Sequence, residues 1–178
     1  MTSSLNYPIG QELAWVPTGA LKGYYDLVTS DSTVLATLDM SSGNSKVHAT
    51  VPEGTLFFWN ENVSGSKLDI SASEQGPPIA TYQRKFGITN GQLTFLDGHS
   101  FKWSRTNFWG TQRAWTDTTS TTPYVQFSTK GVSSKFGVVI HPPAANRPEL
   151  SLLVVLGLYN TLKERRSAEN VSVISSLQ

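Results

Sequence analysis

The sequence predicts a mainly β protein of about twelve antiparallel strands, economically arranged as a closed β-barrel or a sandwich, with a C-terminal hydrophobic helix. Between Gly23 and Ile140, short runs rich in Thr, Val, Phe, Tyr and Trp alternate with Gly, Pro, Asn and Asp at intervals of about 8–12 residues. That is the rhythm of antiparallel strands, and an open sheet of about twelve tends to curl, split or close. The last long apolar segment, Leu150–Leu158, carries no polar stripe. A helix made from it has to be enclosed. A β-sandwich with a peripheral C-terminal helix is the alternative.

The elements follow in order. Gln11–Val16 is the first strand candidate. Tyr24–Val28 and Thr33–Leu38 flank Ser30-Asp31-Ser32, a polar turn of hairpin length. Further strands are expected at Lys46–Thr50, Thr55–Trp59, Lys67–Ser71, Ile79–Phe86, Gln92–Leu96, Ser100–Arg105, Thr111–Thr116, Tyr124–Thr129 and Phe136–Ile140. Pro148 suits a helix start and Glu149 complements its positive end, while Lys163, Arg165 and Arg166 suit the negative end, so the helix is expected over 149–163. Residues 1–9 read as a flexible N-terminus, 10–166 as the barrel domain and 167–178 as a disordered polar tail.

Composition excludes much. The chain has 178 residues, enough for one domain, and 8 Phe, 6 Tyr and 5 Trp supply the bulk of a core. It has no Cys, which removes disulfides, thiolate metal sites and thiol nucleophiles. The net charge of +1 argues against bulk nucleic-acid coating. Met1–Gly10 lacks the basic and apolar regions of a secretory signal, and Leu150–Leu158 is far short of the roughly 20 residues that span a bilayer. The expectation is an intracellular protein, cytoplasmic or peripheral at a membrane surface, with no transmembrane span. On that reading the Asn-x-Ser matches at Asn62 and Asn170 are chance.

Catalytic constellations are weak. Asp97-Gly98-His99-Ser100 holds an acid, a histidine and a hydroxyl, but adjacent side chains on a turn diverge, and Asp97-Gly98 reads as a hairpin turn. The three histidines, His48, His99 and His141, lack metal-ligand spacing, and no phosphate-binding glycine loop is present. No catalytic residue, metal or cofactor is expected.

Charge distribution is more informative. Residues 1–80 hold 3 basic and 8 acidic groups, residues 81–178 hold 11 and 5. Within Thr81–Trp115, Arg84, Lys85, Lys102, Arg105 and Arg113 stand against the single acid Asp97, interleaved with aromatic residues such as Phe101, Trp103, Phe108 and Trp109. Strand alternation divides these cations: Lys85 and Lys102 fall opposite the aromatic phase, whereas Arg84 and Arg105 share it and must sit near strand ends, pair with acids, or lie outside if the phase is reversed. The five are the candidate binding residues for an anionic headgroup, with Lys85 and Lys102 expected to matter most. A protein partner at the Asn107–Gly110 loop is the competing reading, and a hydrolase with a surface cleft a more remote one. Nucleic acid is not expected, and the chain reads as a monomer.

Three stretches carry a resemblance. Pro78–Arg84 (PIATYQR), Leu93–Trp103 (LTFLDGHSFKW), and Leu152–Gly157 (LLVVLG) with Lys163–Arg166 (KERR) resemble small fungal proteins of the tubby C-terminal-like superfamily, which includes LURP-one-related proteins and phospholipid scramblases. The resemblance spans about residues 10–166 and favours the closed antiparallel β-barrel of about twelve strands, with the C-terminal hydrophobic helix through its centre. It also implies phosphoinositide or other anionic phospholipid as a partner, through a basic surface pocket on that fold. The chain departs from scramblases in lacking a cysteine-rich palmitoylation stretch and a proline-rich N-terminal arm, which puts calcium-dependent lipid movement in doubt.

Overall fold

The computed structural model describes residues 7–20, 22–42, 46–60, 66–85, 90–129 and 135–175. Its strands are β1 (Glu12–Pro17), β2 (Tyr24–Val28), β3 (Val34–Asp39), β4 (Val47–Val51), β5 (Gly54–Asn60), β6 (Lys67–Ser71), β7 (Pro78–Arg84), β8 (Gly91–Phe95), β9 (Ser100–Arg105), β10 (Gln112–Asp117), β11 (Pro123–Thr129) and β12 (Phe136–Ile140). Each pairs antiparallel with its chain neighbours, and β1 pairs with β12, so the sheet closes. Closure leaves no unpaired edge strand. Phe86, which the sequence reading put at the end of β7, and Asn62 lie outside the described residues.

Two of the turns show why the punctuation fell where it did. In the β8–β9 turn, Gly98 has φ +89 and its N–H bonds the Phe95 carbonyl at 3.0 Å, the three-residue hairpin geometry that wants a left-handed residue. The β2–β3 turn repeats this with Ser32 at φ +68, supported by Asp31 and Thr29 side chains on the Thr33 N–H.

Alternation sends one face of every strand inward. Leu13, Trp15, Leu27, Leu38, Ala49, Phe58, Ile70, Leu93, Trp103, Trp115, Val125, Phe127 and Val138 are all at or below 2 % exposed. They surround α1 (Leu150–Ser175), whose residues Leu150–Leu162 are buried without a break. The helix meets β3 on one side and β10 and β11 on the other, so it runs inside the barrel, and the sandwich alternative is excluded. A helix is about 10 Å across, and a barrel of this strand number can hold one.

We call the end where α1 starts the lower mouth, bounded by the β4–β5, β8–β9 and β10–β11 turns. The end where it leaves is the upper mouth, bounded by the β1–β2 and β9–β10 turns and by the end of β7.

Two sequence expectations need correction. The helix continues through Ser175, not 163, and includes most of the expected disordered tail. No Gly or Pro follows Arg166 to stop it, and Arg165 pairs with Glu169 one turn on at 3.2 Å. At the other terminus, Tyr7 falls within the stretch read as flexible but is 7 % exposed, and its hydroxyl is hydrogen-bonded to Ser151 of the helix. Burial pushes the Tyr7 phenol up to about 12.

Asn160 is 1 % exposed inside the barrel, and neither of its amide atoms has a hydrogen-bond partner among the described residues. A buried unpaired amide costs about 1–3 kcal/mol. Asn160→Leu, of similar size, is therefore expected to raise the melting temperature by several degrees; a fall would show that the amide is satisfied inside the barrel.

Candidate functional site

The upper mouth gathers cations through topology. β7 and β9 end there and β10 begins there, so Arg84, Arg105 and Arg113 reach the mouth on the inward phase of their strands, in line with Tyr82, Trp103 and Trp115. Each sits at or next to a strand end, where an inward-phase arginine can still reach water. Lys85 follows β7 and is exposed; Lys102 is exposed on the outer wall, beside Gln92 and Thr116 in register. The five candidate residues thus do not form one face.

Arg113 is already committed. It pairs with Glu164, whose side chain is 8 % exposed, and Glu164 also accepts a 3.1 Å hydrogen bond from Trp103 Nε1. Arg113 Nη1 donates to the Gly110 carbonyl at 2.8 Å. Removing one member of such a buried pair leaves an uncompensated charge, which explains why Glu164 is tolerated among aromatic residues. Arg105 is exposed and lies under the same turn, directly opposite Arg113 in register.

Helix residues that the sequence reading assigned to the helix dipole complete the site. Lys163 Nζ stands 5.5 Å from the centre of the Tyr159 ring. Burial lowers the Lys163 ammonium below its ordinary value, and nearby Arg84 and Arg166 lower it further. The same two arginines act on the Tyr159 phenol, which burial pushes up. Arg84 also acts on the Tyr82 phenol, whose titration is raised chiefly by burial. Arg84, Lys163 and Arg166 therefore lie within electrostatic reach of one another near Tyr159. Neither Arg84 nor Arg166 has a carboxylate partner among the described residues. Lys163 and Arg166 were within view as a basic run; what alternation could not show is that the helix carries them back to the end of β7.

The β9–β10 turn projects from the same mouth. Phe108 is 91 % and Trp109 82 % exposed. The turn is held by Asn107 Nδ2 on Thr111 Oγ1 (2.7 Å), by the Gln112 N–H on Asn107 Oδ1 (3.1 Å) and by Arg113 on Gly110.

At the lower mouth the Asp97–Ser100 string is a turn, as expected. His99 Nδ1 contacts Asp97, and His99 Nε2 lies 2.9 Å from Glu149 Oε1. The Asp97 carboxyl is held below the ordinary range, first by the His99 backbone N–H. Ser100 Oγ accepts from Gln92 Nε2 at 3.1 Å, so the serine and histidine side chains are turned to different partners.

Among the described residues there is no cluster of His, Asp or Glu suited to a metal, and no helix long and apolar enough to cross a membrane. The chain matches no family model, no curated protein and no solved structure.

Proposed function

We propose that the chain is a tubby-like, non-enzymatic binding module that takes an anionic, phosphate-bearing headgroup at the upper mouth, and that it works at an anionic membrane surface. The observation that carries this reading is the crowding of Arg84, Lys163 and Arg166 around Tyr159, with Glu164, the buried acid of that mouth, already spent on Arg113. Cations held together weaken one another's charged state, and a phosphate relieves them while accepting hydrogen bonds from two arginines at once. The Phe108–Trp109 turn on the same mouth supplies aromatic rings of the kind that settle at a membrane interface. The helix beyond Leu162 lines a cleft with the β1–β2 turn.

Vesicle co-sedimentation tests this. Vesicles containing phosphatidylserine or a phosphoinositide should bind and neutral vesicles should not. Each cation near such a surface contributes about 1 kcal/mol, so Arg84→Glu with Arg166→Glu should weaken binding by about thirtyfold or more. Lys85→Glu with Lys102→Glu should have a smaller effect that disappears as salt screens the exposed charges. Soluble inositol phosphates should compete if the headgroup alone is recognised. Unchanged vesicle binding by the Arg84/Arg166 variant would remove the mouth from the account. Exposure of Phe108 and Trp109 favours a second reading, a protein-interaction adaptor; it gains if no vesicle binds.

A further inference from the structure

We infer that the lower mouth holds a second binding site, for a protonated amine carried on an apolar chain or ring. It lies at the opposite end of the barrel from the headgroup site and stands without it. A cleft of about 410 Å³ opens between the first turn of α1 and the strand ends of β4 to β8, a volume suited to a small ligand. Its walls are apolar: Val51, Leu56, Ile79, Phe95 and Leu152. Beside it on the β8–β9 turn, Leu96 is 80 % exposed.

Two carboxylates line this apolar space, Glu53 and Glu149. Glu53 Oε2 accepts the Ser151 hydroxyl at 2.6 Å, which points the carboxylate across the helix start; Glu53 has no cation partner among the described residues. Glu149 is 11 % exposed, with Oε1 toward His99 and Oε2 lacking a hydrogen-bond partner among the described residues. The arginine of this mouth, Arg147, is turned to Tyr124, with Nη2 3.1 Å from the hydroxyl and the guanidinium 5.2 Å from the ring centre. Asp97 and Asp117 stand at the same end of the barrel, Asp97 against His99 and Asp117 within reach of Arg147.

These charges fix the sign of the occupant. A helix N-terminus alone favours an anion with about half a unit charge, but Glu53 and Glu149 already answer it and outweigh it. A carboxylate or phosphate entering the cleft would meet two like charges, those of exposed Glu53 and largely buried Glu149. An ammonium would donate to Glu53 and leave its chain against Leu56, Ile79 and Phe95. Uncharged apolar molecules would gain the chain contacts alone.

Calorimetric titration of the full chain with n-octylamine, n-octanol and octanoate, all monomeric and at neutral pH, tests the site. Octylamine should bind at least tenfold more tightly than octanol, and octanoate should not bind. Affinity should rise about fourfold per methylene from pentylamine to octylamine. Glu53→Gln keeps an acceptor for Ser151 and should reduce octylamine affinity about tenfold or more while leaving octanol unchanged. Ala72→Trp, at an exposed position on the cleft wall, should block both ligands. Equal affinity for octylamine and octanol, or octylamine binding that survives both substitutions, would overturn the inference. Vesicle binding through Arg84 and Arg166 should be unaffected by either variant, so failure at one mouth is distinguishable from failure at the other.

Discussion

Replacing Leu153 by Asp is expected to abolish folding, read as loss of the cooperative thermal transition and recovery of the chain in the insoluble fraction. Leu153 is fully buried, and so are its neighbours Leu152, Val154, Val155 and Leu156 on every side of the helix. A peripheral helix would have a solvent face to which the new carboxylate could turn; a helix inside a closed barrel has none. Losing the leucine costs about 2–5 kcal/mol, and an unpaired buried carboxylate adds several more. Together these match or exceed the whole stability of an ordinary domain, about 5–15 kcal/mol. Leu153→Ala keeps the argument measurable if the aspartate variant yields nothing: it should fold, with a melting temperature lower by about 5–15 °C. A soluble Leu153→Asp protein with an unshifted transition would contradict a helix enclosed at this position.

The strands and the enclosed helix were legible in sequence because both depend on local pattern. Turn residues such as Gly98 mark where a backbone must take positive φ, and the absence of a polar stripe in Leu150–Leu158 says that no face of that segment meets water. Alternation put Arg84 and Arg105 in the aromatic phase and left open strand ends, acid partners or a reversed phase; both lie at strand ends. The candidate site was legible only in part, because it is made by register and by the helix's path. Arg113 finds Glu164 across 51 positions of sequence, and nothing local distinguishes that arginine from Arg105, its neighbour in register. The helix end was misplaced because Lys163, Arg165 and Arg166 look like a basic last turn. A basic turn stabilises a helix end, but it does not stop a helix when Ser, Ala and Glu follow.

Charge asymmetry shows the same contrast. Along the sequence it separates an acidic first half from a basic second half; in space the barrel re-sorts it by mouth. Up-and-down connectivity brings every second turn to the same end, so Lys22, Lys85 and Lys135 join Arg84, Arg105 and Arg113 at the upper mouth, where the helix delivers Lys163, Arg165 and Arg166 along with Glu164 and Glu169. Asp31, Glu53, Asp97, Asp117 and Glu149 collect at the lower one, with Arg147 among them. The two ends of one barrel therefore differ in charge, and the helix joins them.

Gly157→Ala is expected to destabilise the protein even though alanine is the better helix former. At an exposed helix position the exchange would stabilise by up to about 1 kcal/mol. Here a methyl group on Gly157 would overlap the Phe127 ring, lying well inside contact distance of Cζ and Cε2 and 2.8 Å from Cε1, where carbon atoms normally rest at about 3.5–4.0 Å. Phe127 cannot simply swing aside. It is 2 % exposed, packs edge-on against Trp103 at 5.3 Å between ring centres, and lies opposite Val138 in register. Moving it disturbs a close-packed wall, and overpacking of this kind costs about 1–3 kcal/mol, occasionally more. With three ring atoms involved the cost should lie at the upper end and exceed the propensity gain, lowering the melting temperature by about 4–8 °C. The partner is tested by a double-mutant cycle: Phe127→Leu, which removes the overlapping ring atoms, should make Gly157→Ala nearly neutral or stabilising. If Gly157→Ala raises the melting temperature in the otherwise unaltered protein, the helix does not approach β11 as closely as this packing requires.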